Sequence, residues 1–439
     1  MSHIDWYSER ALNRLREEAI IPKSEMFEGM RFYGEGEENT ALAKARITFH
    51  HGSYADEIPG LHHAFEHMMF KGKNKELVRQ MEFLGASVNA FTSMSSTAFI
   101  VECNVFKADK VFTLFAELFR PEGDKFTVDP KDWEMERTVI HSERVQSETD
   151  SYSITWDALM RGIYLDDVQS NILGTEENIN SMKPEDFTKV FNETVYRQNV
   201  SIVVSASKKL IKHLSTVLCN KLADIIPLAE DPNVINNKYV FERKTKLNHA
   251  IVNNAVAHLD YKVYANSTMI DLDPTNPIHD MMMLFVSTYI SGGITSPLFE
   301  NIREKLGNVY DCSSYSYRGR LGYNLVVEVG VHDEFLNRYI EEVEVILDDI
   351  RLNGISAEAF ERTKNAVGYI MAKQSERGAI DALLYYGAIR AKNVYYSSHM
   401  LWLLEELEYK DANAMIKEMF NERSMSNVTI ELYPKVEEV

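Results

Sequence analysis

The chain repeats itself at long range. Phe99-Ile-Val-Glu-Cys-Asn-Val105 returns as Leu325-Val-Val-Glu-Val-Gly-Val331, an offset of 226 residues, and Glu136-Arg-Thr returns as Glu361-Arg-Thr, an offset of 225. The helical stretch between them recurs as well, Lys110–Phe119 against Asn337–Ile346, an offset of 227. Segments held this close to one spacing mean one supersecondary unit used twice. At 439 residues the chain also exceeds what one hydrophobic core serves. Two similar α/β lobes are expected, 1–225 and 246–439. Residues 226–245, broken by Pro227 and Pro232, are the expected linker.

The first copy holds a motif the second lacks. Gly60-Leu-His-His-Ala-Phe-Glu-His-Met-Met-Phe-Lys-Gly72 has no Gly or Pro between Leu61 and Lys71, so it can be helical throughout. Four residues apart, His63 and His67 share a helix face and can grip one divalent ion. Glu66 lies one position off that row, which suits a base for water better than a ligand. His-x-x-Glu-His is the inverzincin pattern. The competing reading is a helix with two core or solvated histidines; a third ligand decides between them. His62 projects roughly 100° from His63 and is a weaker candidate ligand.

A carboxylate-rich segment offers candidates for a third ligand, against the competing reading that such a helix simply presents a solvated face. A helix is expected from Pro130 to about Ser153, carrying Glu134, Glu136, Glu143 and Glu148. Glu136 and Glu143 lie two turns apart on one face, and apolar Trp133, Val139, Ile140 and Val145 force some carboxylates inward or along a groove. At the repeat offset of 225, Glu143 falls on Gly368, so only the first lobe can bind metal in this way.

The rest of the chain reads as follows. Residues 1–30 are a helical lead-in, with Ala11, Leu12, Leu15 and Ala19 at helical spacing. Ala43 to Phe49 and Thr97 to Val105 alternate as strands, Lys75–Leu84 and Ala108–Phe119 as helices. Ala86-Ser-Val-Asn-Ala-Phe-Thr-Ser93 is strand-like beside the motif. It offers Asn89, Ala90, Phe91 and Thr92 as an edge for a peptide to join, or as ordinary sheet residues.

Charge and cysteine content narrow the class. A formal charge of −19 argues against nucleic acid or an anionic membrane as partner and permits attraction of basic peptides. No secretory signal, transit peptide or 18-residue apolar run is visible. Cys103, Cys219 and Cys312 are scattered and odd in number, which suits a reducing cytoplasm.

Several runs together carry a family resemblance: Gly60–Gly72, Leu84-Gly-Ala-Ser-Val-Asn-Ala-Phe-Thr-Ser93, Glu136-Arg-Thr-Val-Ile-His-Ser-Glu143, Ile172-Leu-Gly-Thr-Glu-Glu-Asn-Ile-Asn180 and Tyr196–Val204. Pro297-Leu-Phe-Glu-Asn-Ile-Arg-Glu-Lys-Leu-Gly-Asn-Val-Tyr310 adds a further match. The chain resembles the pitrilysin/insulinase zinc peptidases, nearest the half-length branch with the processing peptidases. The resemblance implies an α+β fold of two homologous lobes, each a mostly antiparallel sheet packed by helices, forming half of a clamshell. It implies one Zn2+ per chain on His63, His67 and Glu143, Glu66 as general base, and Glu136 supporting a ligand histidine. Asn89 and Ala90 match the family's substrate edge. Arg303 and Tyr310 match its C-terminal pair, which would bind the substrate carbonyl and stabilise the oxyanion. The implied activity is endoproteolysis of peptides or presequence-like segments inside an enclosed chamber. The implied partner is a second copy, or a related subunit, contributing Arg303 and Tyr310 in trans. The alternative is a catalytically silent scaffold subunit of the same fold. His62, where the family commonly has a small residue, and Ala64-Phe65 depart from its pattern.

Overall fold

A computed structural model describes residues 11–229 and 250–433 apart from 16, 18–20, 39, 149, 151–152, 155, 158, 160–171, 254–261, 271, 308, 320–321, 332–335 and 421–426; at 250–269, 310–311, 319, 331, 336 and 427–433 it gives the backbone alone. The expected linker 226–245 falls mostly outside these residues.

The described strands form two sheets. The first holds β1 (Glu25–Phe27), β2 (Met30–Glu37), β3 (Leu42–Phe49), β4 (Ser87–Thr92), β5 (Thr97–Asn104) and β6 (Val200–Ser207), in the order β1-β2-β6-β3-β5-β4. The second holds β7 (Ala250–Asn253), β8 (Lys262–Ile270), β9 (Val309–Gly319), β10 (Gly322–Val331) and β11 (Asn427–Tyr433), in the order β7-β11-β8-β10-β9. Without β1, the two orders correspond strand for strand. Each sheet has one parallel pair, β2 with β6 and β7 with β11, and the remaining pairs are antiparallel. The repeated segment Phe99–Val105 is β5 in one sheet, and Leu325–Val331 is β10 in the other. The fold is the expected α+β pair of homologous lobes with mostly antiparallel sheets.

Side-chain alternation places the helices. Along β3, Ala43, Ala45, Ile47 and Phe49 are buried in the first-lobe core together with the helices Ala108–Glu117 and Ile211–Ile225. The opposite face of the sheet turns toward the second lobe. There Tyr33 and Val203, from β2 and β6, join the second lobe's core, and the helix Ile380–Ala388 packs across β2, β3 and β6. Tyr33 donates to the Ala391 carbonyl at 2.7 Å, and Arg390 donates to the Gln198 carbonyl at 2.7 Å. Among the described residues no helix is long and apolar enough to cross a membrane.

Three local expectations change. The helical lead-in holds at 11–15, where Ala11 and Leu15 are buried in the second lobe's core, but 25–37 is a hairpin. Glu28 and Gly29 both adopt positive φ, 48° and 89°, the backbone that a two-residue hairpin turn requires. The carboxylate-rich helix stops at Ser147 rather than near Ser153. On it Trp133, Glu136 and Ile140 are buried, whereas Val139 and Val145 are exposed; the inward stripe is narrower than the apolar residues suggested.

Candidate metal centre

The motif helix (Leu61–Met68) starts where its backbone is fixed. Gly60 has φ 90°, and a Cβ there would lie 2.4 Å from the Leu173 carbonyl oxygen, so only glycine fits. Asp56 supplies the N-terminal cap: its Oδ2 accepts from the Gly60 N–H at 3.0 Å and its Oδ1 from the His62 N–H at 2.9 Å. The same Oδ1 meets His62 Nδ1 at 2.6 Å, and His62 Nε2 lies 3.1 Å from the Thr194 hydroxyl. Burial pushes the Asp56 carboxyl up, with His62 and the two N–H groups pulling against it. Both ring nitrogens of His62 are therefore engaged, and it stays out of the metal cluster.

His63 and His67 share the other face, ring centroids 4.7 Å apart. Glu143 reaches them from the carboxylate helix (Pro130–Ser147), its Oε2 3.5 Å from His63 Nε2 and 3.4 Å from His67 Nε2. One ligand atom from each of the three lies within 4.8 Å of the others. A tetrahedral zinc with arms of roughly 2.0–2.1 Å sets its donor atoms about 3.4 Å apart, so the three converge at the spacing such an ion needs. Two neutral imidazoles and one carboxylate also form a donor set suited to zinc. Burial, and then the neighbouring His67, push the His63 imidazole down to about 3, so it stays neutral and able to ligate.

The surrounding groups set orientation and charge. His67 Nδ1 donates to Glu136 Oε1 at 2.8 Å, which leaves Nε2 as the free donor atom. Burial alone would raise Glu136, but Lys71 and His67 outweigh it and hold its carboxyl below the usual range. The Lys71 ammonium contacts Glu136 directly. Glu66 is 8% exposed and accepts from the Thr92 hydroxyl at 2.7 Å. Burial raises its carboxyl, opposed by Thr92 and His67, with Glu143 adding to the rise. Lys71 was assigned no role from the sequence, and Thr92 was expected on the peptide-joining edge rather than as the partner of Glu66. Lys71 sits four residues beyond His67 in sequence, which was the available signal; for Thr92 the signal was its place on the strand beside the motif, not its contact with Glu66.

The remaining candidates divide between sites. Asn89, Ala90 and Phe91 lie on β4, an edge of the first sheet, with β5 on its other side. The Ala90 N–H donates to the Asn89 side-chain oxygen at 2.9 Å. Arg303 lies in the second lobe, exposed, its guanidinium carbon 5.0 Å from the Phe299 ring centroid, and it makes no hydrogen bond, ion pair or ring contact with the cluster. Tyr310 is on β9, and its side chain lies outside the described residues.

Comparison with known proteins sets this geometry in a family. A model of the family "Insulinase (Peptidase family M16)" matches residues 33–176, and one described as "Peptidase M16 inactive domain" matches residues 203–367. An uncharacterized zinc protease of Bacillus subtilis is 23% identical over 344 residues, 75% of this chain and 79% of that protein. The human mitochondrial-processing peptidase subunit beta is 28% identical over 153 residues, 34% of this chain and 30% of that one. The solved structure of the periplasmic protease PqqL from Escherichia coli superposes with a TM-score of 0.74 at 16% identity, over 95% of this chain and 48% of that one. The two family matches together span most of the sequence, in the order of its two lobes. The chain belongs to the insulinase family of peptidases, family M16.

Proposed function

We propose that the chain is a zinc-dependent endopeptidase acting on peptides or unfolded, presequence-like segments. The observation that carries this reading is the convergence of His63, His67 and Glu143, with Glu66 held beside them by Thr92. His63, His67 and Glu143 would hold the ion and leave a fourth position to water or substrate. A zinc ion bound there supplies Lewis acidity, polarising the scissile carbonyl and acidifying water.

The chain's own groups do the rest. Glu66 accepts the proton of the attacking water and delivers it to the leaving amine; burial brings its proton affinity closer to that of its partners. Glu136, backed by Lys71, keeps His67 in the tautomer that ligates. The free edge of β4 at Asn89, Ala90 and Phe91 aligns a peptide backbone by strand addition. Arg303 and Tyr310 would fix the substrate carbonyl and stabilise the developing oxyanion. Since Arg303 makes no contact with this chain's own cluster, we assign that pair to a partner chain, a second copy or a related subunit. The match to about half of the Escherichia coli protein's length supports such pairing. Two two-lobed chains would then enclose a chamber that admits only extended segments. In this reading residues 1–225 form the zinc lobe, 226–245 the linker and 246–439 the lobe without metal, working in a reducing cytoplasm.

A second reading, a silent scaffold subunit, is favoured by the "inactive domain" description that matches residues 203–367. Zinc content measured together with cleavage of a quenched peptide separates the two. The peptidase reading expects about one zinc per chain and cleavage that disappears in Glu66→Gln with zinc retained. Equal, negligible cleavage by both zinc-loaded chains would leave the scaffold reading.

A further inference from the structure

The machinery described so far uses one face of β4; the other face opens on a cavity of about 520 Å³ between the lobes. Phe91 and Thr92 mark the division. Successive side chains on a strand point to opposite faces, and the Thr92 hydroxyl reaches Glu66 while Phe91 lines the cavity.

The cavity is basic within an acidic chain. Arg46, Arg318 and Arg390 line it, and among the described residues Asp273 is its one lining carboxylate. Asp273 is already engaged by the Thr275 N–H and hydroxyl, each at 2.8 Å. Arg318 is paired with Asp280, and Arg390 donates to the Gln198 carbonyl. Arg46 differs from both. It is 9% exposed, its Nε donates to the Thr48 hydroxyl at 3.0 Å, and its guanidinium carbon lies 4.6 Å from the Phe91 ring centroid. Among the described residues no carboxylate pairs with it. Burial pushes it down to about 10, with no charged neighbour opposing the shift. A guanidinium taken out of water without an anion destabilises a fold, so its retention calls for a compensating ligand. Stacking on Phe91 occupies the flat face of the guanidinium and leaves its edge N–H groups for a planar anion.

We propose that this inter-lobe cavity is a carboxylate subsite for the bound peptide, with Arg46 as the residue that grips the carboxylate. The proposal rests on the peptidase reading, which places a peptide along β4. A peptide added to that edge sends alternate side chains to the two faces, one set toward the metal cluster and the other toward Arg46. The carboxylate comes from an Asp or Glu side chain in register with the cavity, or from the peptide's C-terminus. Overall acidity favours basic peptides at long range; the cavity selects one acidic group at short range.

The test measures binding of peptides to the zinc-loaded Glu66→Gln chain, with Asp or Glu walked through each position against Asn or Gln, and with free against amidated C-termini. One acidic register is expected to bind at least about tenfold tighter than its amide counterpart. Loss of that preference on amidation assigns the C-terminal carboxylate; persistence assigns a side chain. Adding Arg46→Met is expected to bring the acid-to-amide ratio to one and to raise the unfolding temperature of the peptide-free chain. Arg46→Lys, which keeps the charge, is expected to retain part of the preference and serves if the methionine variant does not fold. An acid-to-amide ratio of one with Arg46 intact, or one unchanged by both substitutions, overturns the proposal. Cleavage without acidic preference defeats this inference and spares the peptidase reading; acidic preference through Arg46 without cleavage by the native Glu66 chain does the reverse.

Discussion

The two lobes share a sheet topology and differ in what their helices present. Between β3 and β4 the first lobe places the motif helix, which packs on the carboxylate helix; between β8 and β9 the second places Pro277–Ser291, which packs on Ala357–Ser375. The first pair meets through His63, His67 and Glu143. The second helix buries Met281, Met282, Met283, Phe285, Val286 and Ile290 instead. Gly368, at the repeat position of Glu143, faces a third helix, Ser397–Glu405, through Leu401 and Leu404, each 3.7 Å from where a Cβ would stand. One architecture therefore carries a polar cluster able to hold a metal in one copy and apolar packing in the other. The backbone sets where two helices meet; a few side chains decide whether the meeting point is chemical.

Substitutions can break that contrast. The largest expected effect is His67→Ala: zinc content and cleavage should both disappear, because two remaining donors do not hold the ion. Glu66→Gln should lower kcat by roughly 10²–10⁴-fold while zinc content stays at the native level, since it removes proton transfer and no ligand. Loss of zinc in that variant would make Glu66 a ligand and not a base. Mixing Glu66→Gln chains with Tyr310→Phe chains sharpens the assignment between lobes. Activity well above either parent supports donation across chains, and none above the parents removes it. Glu136→Gln should weaken zinc affinity by about 10–100-fold, read by competition with a chelator, because the anion that orients His67 is gone. Gly368→Ala should be the mildest. Its Cβ meets ordinary contacts, and a helix interior gains about 0.5–1 kcal/mol when alanine replaces glycine, so the unfolding temperature should rise. A fall would mean that this packing is tighter than its distances indicate.

Much of this contrast was legible beforehand, and for physical reasons. His63, Glu66 and His67 sit on one helix, where the 3.6-residue period fixes their relative directions. Glu136 and Glu143 are related by the same period, and the long-range repeat pointed to Gly368. Family resemblance, not spacing, brought Glu143 to the imidazoles. What stayed hidden depends on tertiary approach: Thr92 reaching Glu66 from β4, Asp56 occupying His62, and Lys71 meeting Glu136. Arg46 read as a strand residue in Ala-Arg-Ile-Thr-Phe49, and only the packing of the second lobe across that face makes it a buried cation. The β1–β2 hairpin was missed because a Glu-Gly pair is a weak turn signal beside a helical apolar spacing.

In the proposed reading one lobe of two holds a catalytic metal, through His63, His67 and Glu143. Elemental analysis of zinc per chain, on the native protein and on Glu143→Ala after the same dialysis, tests it most directly. About one zinc per native chain and almost none in the variant is the expected result. Two zinc ions per native chain, or an unchanged content in Glu143→Ala, would contradict it.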